Sequence, residues 1–319
     1  MTRVVVTGAA GFIGSRLAHR MLDEGNEVIG IDGFTDTYDP AEKLDRASTL
    51  ARRPGFTLVS GHLAQLRLED HLDGAEVVFH LAGRAGVRAS FVLEARYRYD
   101  NVTSTERLVA ACQRAASLRR LVYASSSSVY GDAPLPFHED GATLPVSPYG
   151  ASKLEAEQIC LKANGTDLET VALRYFTVYG PGQRPDMGLR IFAEAAWADR
   201  PLEVFGDGSQ SRDFTYVDDI VEATARAAWA PVAGMAINVG GGERVTLLEV
   251  LDYLEEIVGR PLRVRLGPFA QGDVRHTAAD LSRARDLLGF GASTRFRDGY
   301  RAEVDWLRPA GAHGERRTA

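Results

Sequence analysis

Short apolar runs alternate with stretches whose apolar positions recur every three or four residues along most of this chain. Residues 2–7 are a β-branched run, and a helical spacing follows through Leu17, Met21 and Leu22. The same reading predicts strands over 27–31, 56–60, 76–81 and 121–125, and largely helix over 91–116. Strands separated by helices indicate a parallel sheet covered on both faces, with ligands bound beyond the carboxyl ends of its strands. The expected class is therefore α/β, a doubly wound, Rossmann-like parallel sheet. Residues 33–55 are long and polar, and read either as a cover over a bound ligand or as a passive surface insertion.

Candidate chemistry sits at the strand ends. After the first run comes Gly8-Ala9-Ala10-Gly11-Phe12-Ile13-Gly14, in the order strand, glycine turn, helix that a dinucleotide fingerprint requires. Glycines allow the tight turn and the close approach of backbone to a pyrophosphate at the helix N-terminus. The spacing is G-x-x-G-x-x-G, not G-x-G-x-x-G. Asp32 ends the second predicted strand, where an acid accepts from ribose hydroxyls and repels a 2′-phosphate, favouring NAD over NADP. Its plain alternative is an ordinary turn residue.

Ser125 to Ser128 end the 121–125 strand, some 20 residues before Ser147-Pro148-Tyr149-Gly150-Ala151-Ser152-Lys153. Ser147 and Pro148 read as N-cap and N1, which places Tyr149 in the first helical turn and Lys153 one turn later on the same face. A phenol is a poor base at neutral pH. A neighbouring ammonium, helped by a cationic nicotinamide, lowers its pKa, and about 3 units of lowering need about 4 kcal/mol.

These pieces together resemble the extended short-chain dehydrogenase/reductase superfamily, in particular its NAD-dependent nucleotide-sugar epimerases and dehydratases. The resemblance runs over residues 2–290. It implies that Ser126 and Tyr149 are catalytic, with Lys153 as the partner of the base, and that Asn101 lies near the cofactor. It likewise places His62, Leu63, Leu81, Ala82 and Gly83 along the cofactor with Gly8, Gly11, Phe12, Ile13, Gly14 and Asp32. His62 stands where the family often has an aspartate that meets the adenine, and Gly83 where alanine is common. The segment 206–214 matches one lining a nucleotide-diphosphate pocket, so Arg212 and Arg275 are expected on phosphate oxygens; otherwise they are surface charges.

Asp36-Thr37-Tyr38-Asp39-Pro40, Arg84-Ala85-Gly86-Val87-Arg88, the 175–181 stretch and Arg184-Pro185-Asp186-Met187 are most similar to UDP-glucuronate 4-epimerases. By that resemblance Arg88, Ser126, Ser127, Ser128, Tyr149, Thr177 and Arg184 meet the UDP-sugar, the hydroxyls binding its carboxylate. The implied reaction inverts C4 through a transient 4-keto sugar. A UDP-glucose/UDP-galactose epimerase is the alternative. Sister dehydratases and decarboxylases carry acids where this chain has Ser127 and Ser128, which stand second. A nucleotide-sensing protein that lost the chemistry is the remote alternative, against which the intact Ser, Tyr, Lys set argues.

With 319 residues and 45% hydrophobic content the chain suffices for one large or two modest domains. A nucleotide-binding domain is expected from 1–175 with about 213–241. A smaller, mixed α/β nucleotide-sugar lobe is expected from 176–212 with 242–310. Residues 311–319 read as a flexible tail. The net charge of −6 gives no support for a nucleic-acid surface. Two cysteines without metal spacing, and histidines without a ligand motif, predict no metal and a reducing cytoplasm. No run is apolar enough for a membrane span. Helices over 91–116 and 149–164 would pair two copies in a homodimer by resemblance; Leu108, Val109, Leu154 and Ile159 could equally face the chain's own sheet.

Overall fold

In the computed structural model, which describes residues 1–309, the β-branched runs sort their side chains onto two faces of one sheet. The expected flexible tail at 311–319 lies outside the described residues. In β1 (Arg3–Thr7), Val4 and Val6 enter one core with Leu17, Met21 and Ile220. Val5 enters the other with Leu108, Cys112, Ala156 and Cys160. The period-two alternation of a strand thus supplies both cores, which is why these runs are apolar at every position.

The strands β2 (Glu27–Asp32), β3 (Phe56–Ser60), β4 (Val77–His80), β5 (Arg120–Ser126) and β6 (Glu169–Tyr175) continue the sheet. Its order is Met235–Val239, β6, β5, β4, β1, β2, β3, parallel throughout. Chain order reverses between β1 and β4, and such a switch point opens a crevice beyond the carboxyl ends. This is the doubly wound α/β sheet expected from the pattern. The predicted helix over 91–116 is broken into Glu94–Tyr97, a wide π-turn at Arg98–Thr103 and Ser104–Cys112.

The 33–55 segment is not simply a loop. Asp39 caps α2 (Pro40–Ala51) by accepting from the Ala41 amide at 2.9 Å, with Pro40 at N1. Leu50 joins the core of Val4 and Val6, and Ala47 is buried. Aspartate before proline is a helix start, and Ala47 and Leu50 share a face at a spacing of three.

A third core is built on Tyr179, Phe192, Val204, Leu254, Phe296 and Tyr300. Glu303 is buried in it: Oε2 accepts from the Gly180 amide at 2.9 Å and Oε1 has no partner. Burial among Tyr179 and Tyr300 pushes its carboxyl up to about 8, opposed by the Gly180 amide and Arg190. Between the ordinary carboxylate range and that value, the native protein holds a proton that the unfolded chain has released. Stability therefore falls as pH rises through this window. Glu303→Gln, which keeps the shape and removes the titration, is expected to flatten the decline in Tm between about pH 5 and pH 9. A parallel decline in both proteins would show that Glu303 does not hold the proton.

Candidate active site

At the switch point a cavity of 660 Å³ runs from the β1 and β2 ends to the β6 end. At its first end Gly8 takes φ +73°, a conformation that favours glycine. A Cβ on Gly14 would stand 2.1 Å from the Gly8 carbonyl oxygen, so turn and helix touch backbone to backbone. α1 (Phe12–Asp23) starts after an extended Gly11 with no side-chain cap, which leaves its first amides available to an anion. Gly8, Gly11, Phe12, Ile13 and Gly14 all line the cavity.

Asp32 is buried at the β2 end and already holds three donors. They are the Ala10 amide (3.0 Å), the Phe34 amide (2.8 Å) and Lys43 Nζ (3.2 Å). Lys43 also lines the cavity and was missed in the sequence. Recognising α2 would have placed it facing the β2 end.

His62, Leu63, Leu81, Ala82 and Gly83 form the adjoining wall. His62 stacks on Tyr99, and its ring accepts from the Ala64 amide through Nδ1, which leaves Nε2 to donate to Asp100 at 3.1 Å. Asp100 also takes the buried Arg84 Nε at 2.6 Å. Asn101, expected near the cofactor, does not line the cavity. It brackets Arg84 through both its amide atoms, donates to Ser152 and lies behind the wall. An alanine Cβ at Gly83 would come within 2.9 Å of Asn101 Oδ1, a close contact that glycine avoids.

At the far end the serines meet the tyrosine helix, Pro148–Lys162. Ser147 caps it, accepting from the Gly150 amide at 3.1 Å, with Pro148 at N1 as expected. Ser126, Tyr149 and Lys153 line one stretch of the cavity. Ser126 Oγ accepts from the Ser128 amide at 3.1 Å, so its hydroxyl proton remains free to donate.

Burial pushes the Tyr149 phenol above its ordinary value, while Ser126 and Arg184 pull it back. Lys153 donates to the Ala124 carbonyl, lies 4.3 Å from the Tyr123 ring centre and is drawn down to about 8 by burial. The expected lowering of the phenol by Lys153 is thus not what the protein's own groups produce. Desolvation in a dry wall outweighs the pull of Ser126 and Arg184 on the phenol.

Arg88, Ser127, Ser128, Thr177, Arg184 and Arg212 line the same end. Arg88 stacks over Phe205 at 4.0 Å. Arg184 is held by Asp186 through Nε (3.0 Å) and Nη2 (2.5 Å), and Arg212 by Asp273 at 2.5 Å. Arg275 is not brought to the cavity: it is exposed, 3.7 Å from Asp207 and beside the Phe269 ring. Asp186 and Asp273 also line the cavity and were not among the sequence candidates. Asp186 follows Arg184 by two residues, whereas Asp273 lies 61 positions from Arg212, a pairing that no local spacing encodes.

α2 spans both ends. Lys43 reaches Asp32, Arg46 reaches the Gly182 carbonyl at 2.9 Å, and Glu42 receives Arg190 in a fork at 2.7 and 3.1 Å. Thr35, Thr37 and Tyr38, just before α2, line the cavity. Glu42→Gln is expected to speed loss of bound dinucleotide by about tenfold, since a partly buried ion pair of about 1–2 kcal/mol holds this strap. Cofactor retained after gel filtration measures it. Unchanged retention would leave α2 a passive insertion.

Sheet order, glycine cradle and Ser, Tyr, Lys arrangement define a dinucleotide-dependent α/β enzyme class. Residues 4–240 match the model of the NAD dependent epimerase/dehydratase family, and the chain belongs to that family. It is 36% identical to a UDP-glucuronate 4-epimerase of Thermodesulfobacterium geofontis, over 95% of both chains. The solved UDP-glucuronic acid 4-epimerase of Bacillus cereus, in complex with UDP-glucuronic acid and NAD, superposes with a TM-score of 0.92. That match is 35% identical and covers 96% of this chain and 99% of that one. MoeE5 is 40% identical: its complex with UDP-glucuronic acid and NAD gives 0.87 over 96% and 99% of the chains, and its complex with UDP-glucose and NAD 0.86 over 96% and 98%. NAD is the cofactor of this family, and the touching glycines and the uncapped helix start suit its pyrophosphate.

Proposed function

We propose that the protein is an isomerase that inverts C4 of a UDP-sugar through a transient 4-keto sugar, with UDP-glucuronate and UDP-galacturonate as the pair. The observation that carries this reading is one cavity wall that joins Ser126, Tyr149 and Lys153 to three further hydroxyls, Ser127, Ser128 and Thr177. Serine, not an acid, stands at both 127 and 128, so neither position offers a group to divert a ketone toward dehydration or decarboxylation.

In this reading Tyr149, as phenolate, takes the C4 hydroxyl proton, and Ser126 donates to the same oxygen. Lys153 steadies the phenolate. NAD, when bound, supplies reversible hydride exchange at C4. Arg212 and Arg88 hold the diphosphate while the sugar turns, C4 takes the hydride back on its other face, and Tyr149 returns the proton to the C4 oxygen. Gly8, Gly11, Phe12, Ile13, Gly14, Asp32, His62, Leu63, Leu81, Ala82 and Gly83 hold the dinucleotide, with Asn101 acting from behind Gly83.

The 1–175 and 213–241 segments serve NAD in this reading, and 176–212 with 242–310 the nucleotide sugar. Two copies pair through the helices over 91–116 and 149–164. Exposed Val92, Leu93 and Tyr99 support that pairing, whereas Leu108 and Val109 bury in the chain's own core. The described residues contain no helix long and apolar enough to cross a membrane. Buried, unpaired Cys112 and Cys160 suit a reducing cytoplasm.

A time course with UDP-glucuronate, and UDP-glucose in parallel, tests the reading. A same-mass product co-eluting with UDP-galacturonate supports it. Turnover of UDP-glucose alone selects the neutral-sugar alternative, which the Arg184–Asp186 pair favours because it leaves Arg184 already neutralised. Turnover of neither sugar would overturn both.

A further inference from the structure

Behind the cavity wall lies an ion pair that the reaction does not touch. Glu157 follows Lys153 by four residues and Tyr149 by eight on one helix, so the three share a face. Its buried carboxylate accepts Arg174 as a fork, Nε at 3.1 Å and Nη2 at 2.6 Å, and takes Ser125 Oγ at 2.5 Å. Arg174 Nη1 continues to Tyr130 Oη at 2.8 Å, and Tyr130 donates to Asn238 at 2.6 Å. One carboxylate therefore joins the tyrosine helix to the residue before Ser126 and to the strand that leads to Thr177. Replacing such a buried pair by apolar residues is often neutral or even stabilising, so fold stability alone is a weak reason for it.

Resting on the epimerase reading only for its kinetic consequence, we infer that Glu157, clamped by Arg174, positions the Tyr149–Lys153 pair and provides the buried anion that keeps Lys153 charged. The surroundings of Lys153 single Glu157 out. Cys160 and Tyr149 share its helix, Tyr123 lies on β5 and His80 on β4. Burial keeps Cys160, Tyr123 and His80 neutral. Asp100, on the π-turn, is turned to Arg84 and His62, and Glu155 to Arg98 at the surface, whereas Glu157 lies one turn beyond Lys153 on the same helix face. Against the desolvation that draws Lys153 down stand Cys160 and then Glu157, and of these two only Glu157 carries a charge.

The chain has three lysines, Lys43, Lys153 and Lys162. Carbon-13 labelling of the lysine side chains in the protein as purified lets Lys153 be titrated by NMR without any turnover. Glu157→Gln is expected to lower the Lys153 midpoint by about one pH unit. The alkaline limb of kcat should move down with it, leaving KM for the sugar nucleotide unchanged. Should that variant not fold, Glu157→Gln with Arg174→Met removes both charges and leaves no unpaired ion. Its Lys153 midpoint should also lie below that of the parent.

An unmoved midpoint in Glu157→Gln, or a return to the parent value in the double variant, overturns the inference. A lowered midpoint in a protein that turns over neither sugar supports it, while removing the epimerase reading.

Discussion

Replacing Tyr149 by phenylalanine is expected to cut epimerisation by about 10³-fold, within the range of a lost general base, with little change in sugar-nucleotide or NAD affinity. The ring keeps its edge-on packing against Tyr97, 6.1 Å between centroids, and loses only the hydroxyl. The fold should therefore survive with Tm nearly unchanged. Product assay measures the first part, and ligand titration the second. Loss of less than tenfold would mean that another group takes the C4 proton, and Ser126 would then be the residue to replace.

The pH dependence sharpens that result. Burial raises Tyr149 and lowers Lys153 to about 8. The two lie one turn apart on one helix face, and phenolate beside ammonium is the form that the cationic nicotinamide of bound NAD would favour. Activity needs phenolate and ammonium together. It should rise as pH increases on the acid side, fall once Lys153 deprotonates, and give a bell-shaped profile. Lys153→Met removes the positive charge, so the acid limb should move to higher pH. An acid limb unmoved in that variant would show that the ammonium does not tune the base.

Much of this was readable from spacing, because spacing is what local backbone physics leaves in a sequence. The 56–60 run forms β3 with the same bounds, and Ser147-Pro148 starts the tyrosine helix as its cap chemistry requires. The glycine turn is equally local. What escaped was either masked by polarity or set by distance. α2 hides in a polar segment, because only a narrow stripe including Ala47 and Leu50 is buried. Glu42 and Arg190 are 148 positions apart, so no local pattern joins them. Asn101, expected near the cofactor, lies behind Gly83 and off the cavity. Its amide is turned toward Arg84 and Ser152, an orientation that depends on the π-turn. Arg275 stands at the surface, the alternative its sequence context left open, because a charge beside a phosphate-binding segment is as well satisfied there by Asp207 and Phe269.

Electrostatics were the hardest part to read. A lysine four residues from a tyrosine suggests a lowered phenol pKa. The sign depends on how dry the wall is, and that is known only once Tyr123, His80 and the β5 end are packed around it. Sequence supplied the partners, and burial decided which form each one favours.

Gly14→Ala should produce the second large effect, loss of bound NAD. The new Cβ would lie 2.1 Å from the Gly8 oxygen and 2.8 Å from its carbonyl carbon, and neither atom is a side chain that can rotate away. Either α1 shifts from β1 or the Gly8 turn opens; both move the amides that face the pyrophosphate. Overpacking of this kind costs about 1–3 kcal/mol of stability, and a displaced cradle should cost at least as much in binding. Purified Gly14→Ala is thus expected to contain little NAD and to be inactive until NAD is added in large excess. Gly165→Ala is the matched control, because a Cβ there meets nothing within 4 Å. If Gly14→Ala retained a full complement of NAD at an unchanged Tm, the backbone contact would not be what shapes this site. The fingerprint glycine would then need another explanation.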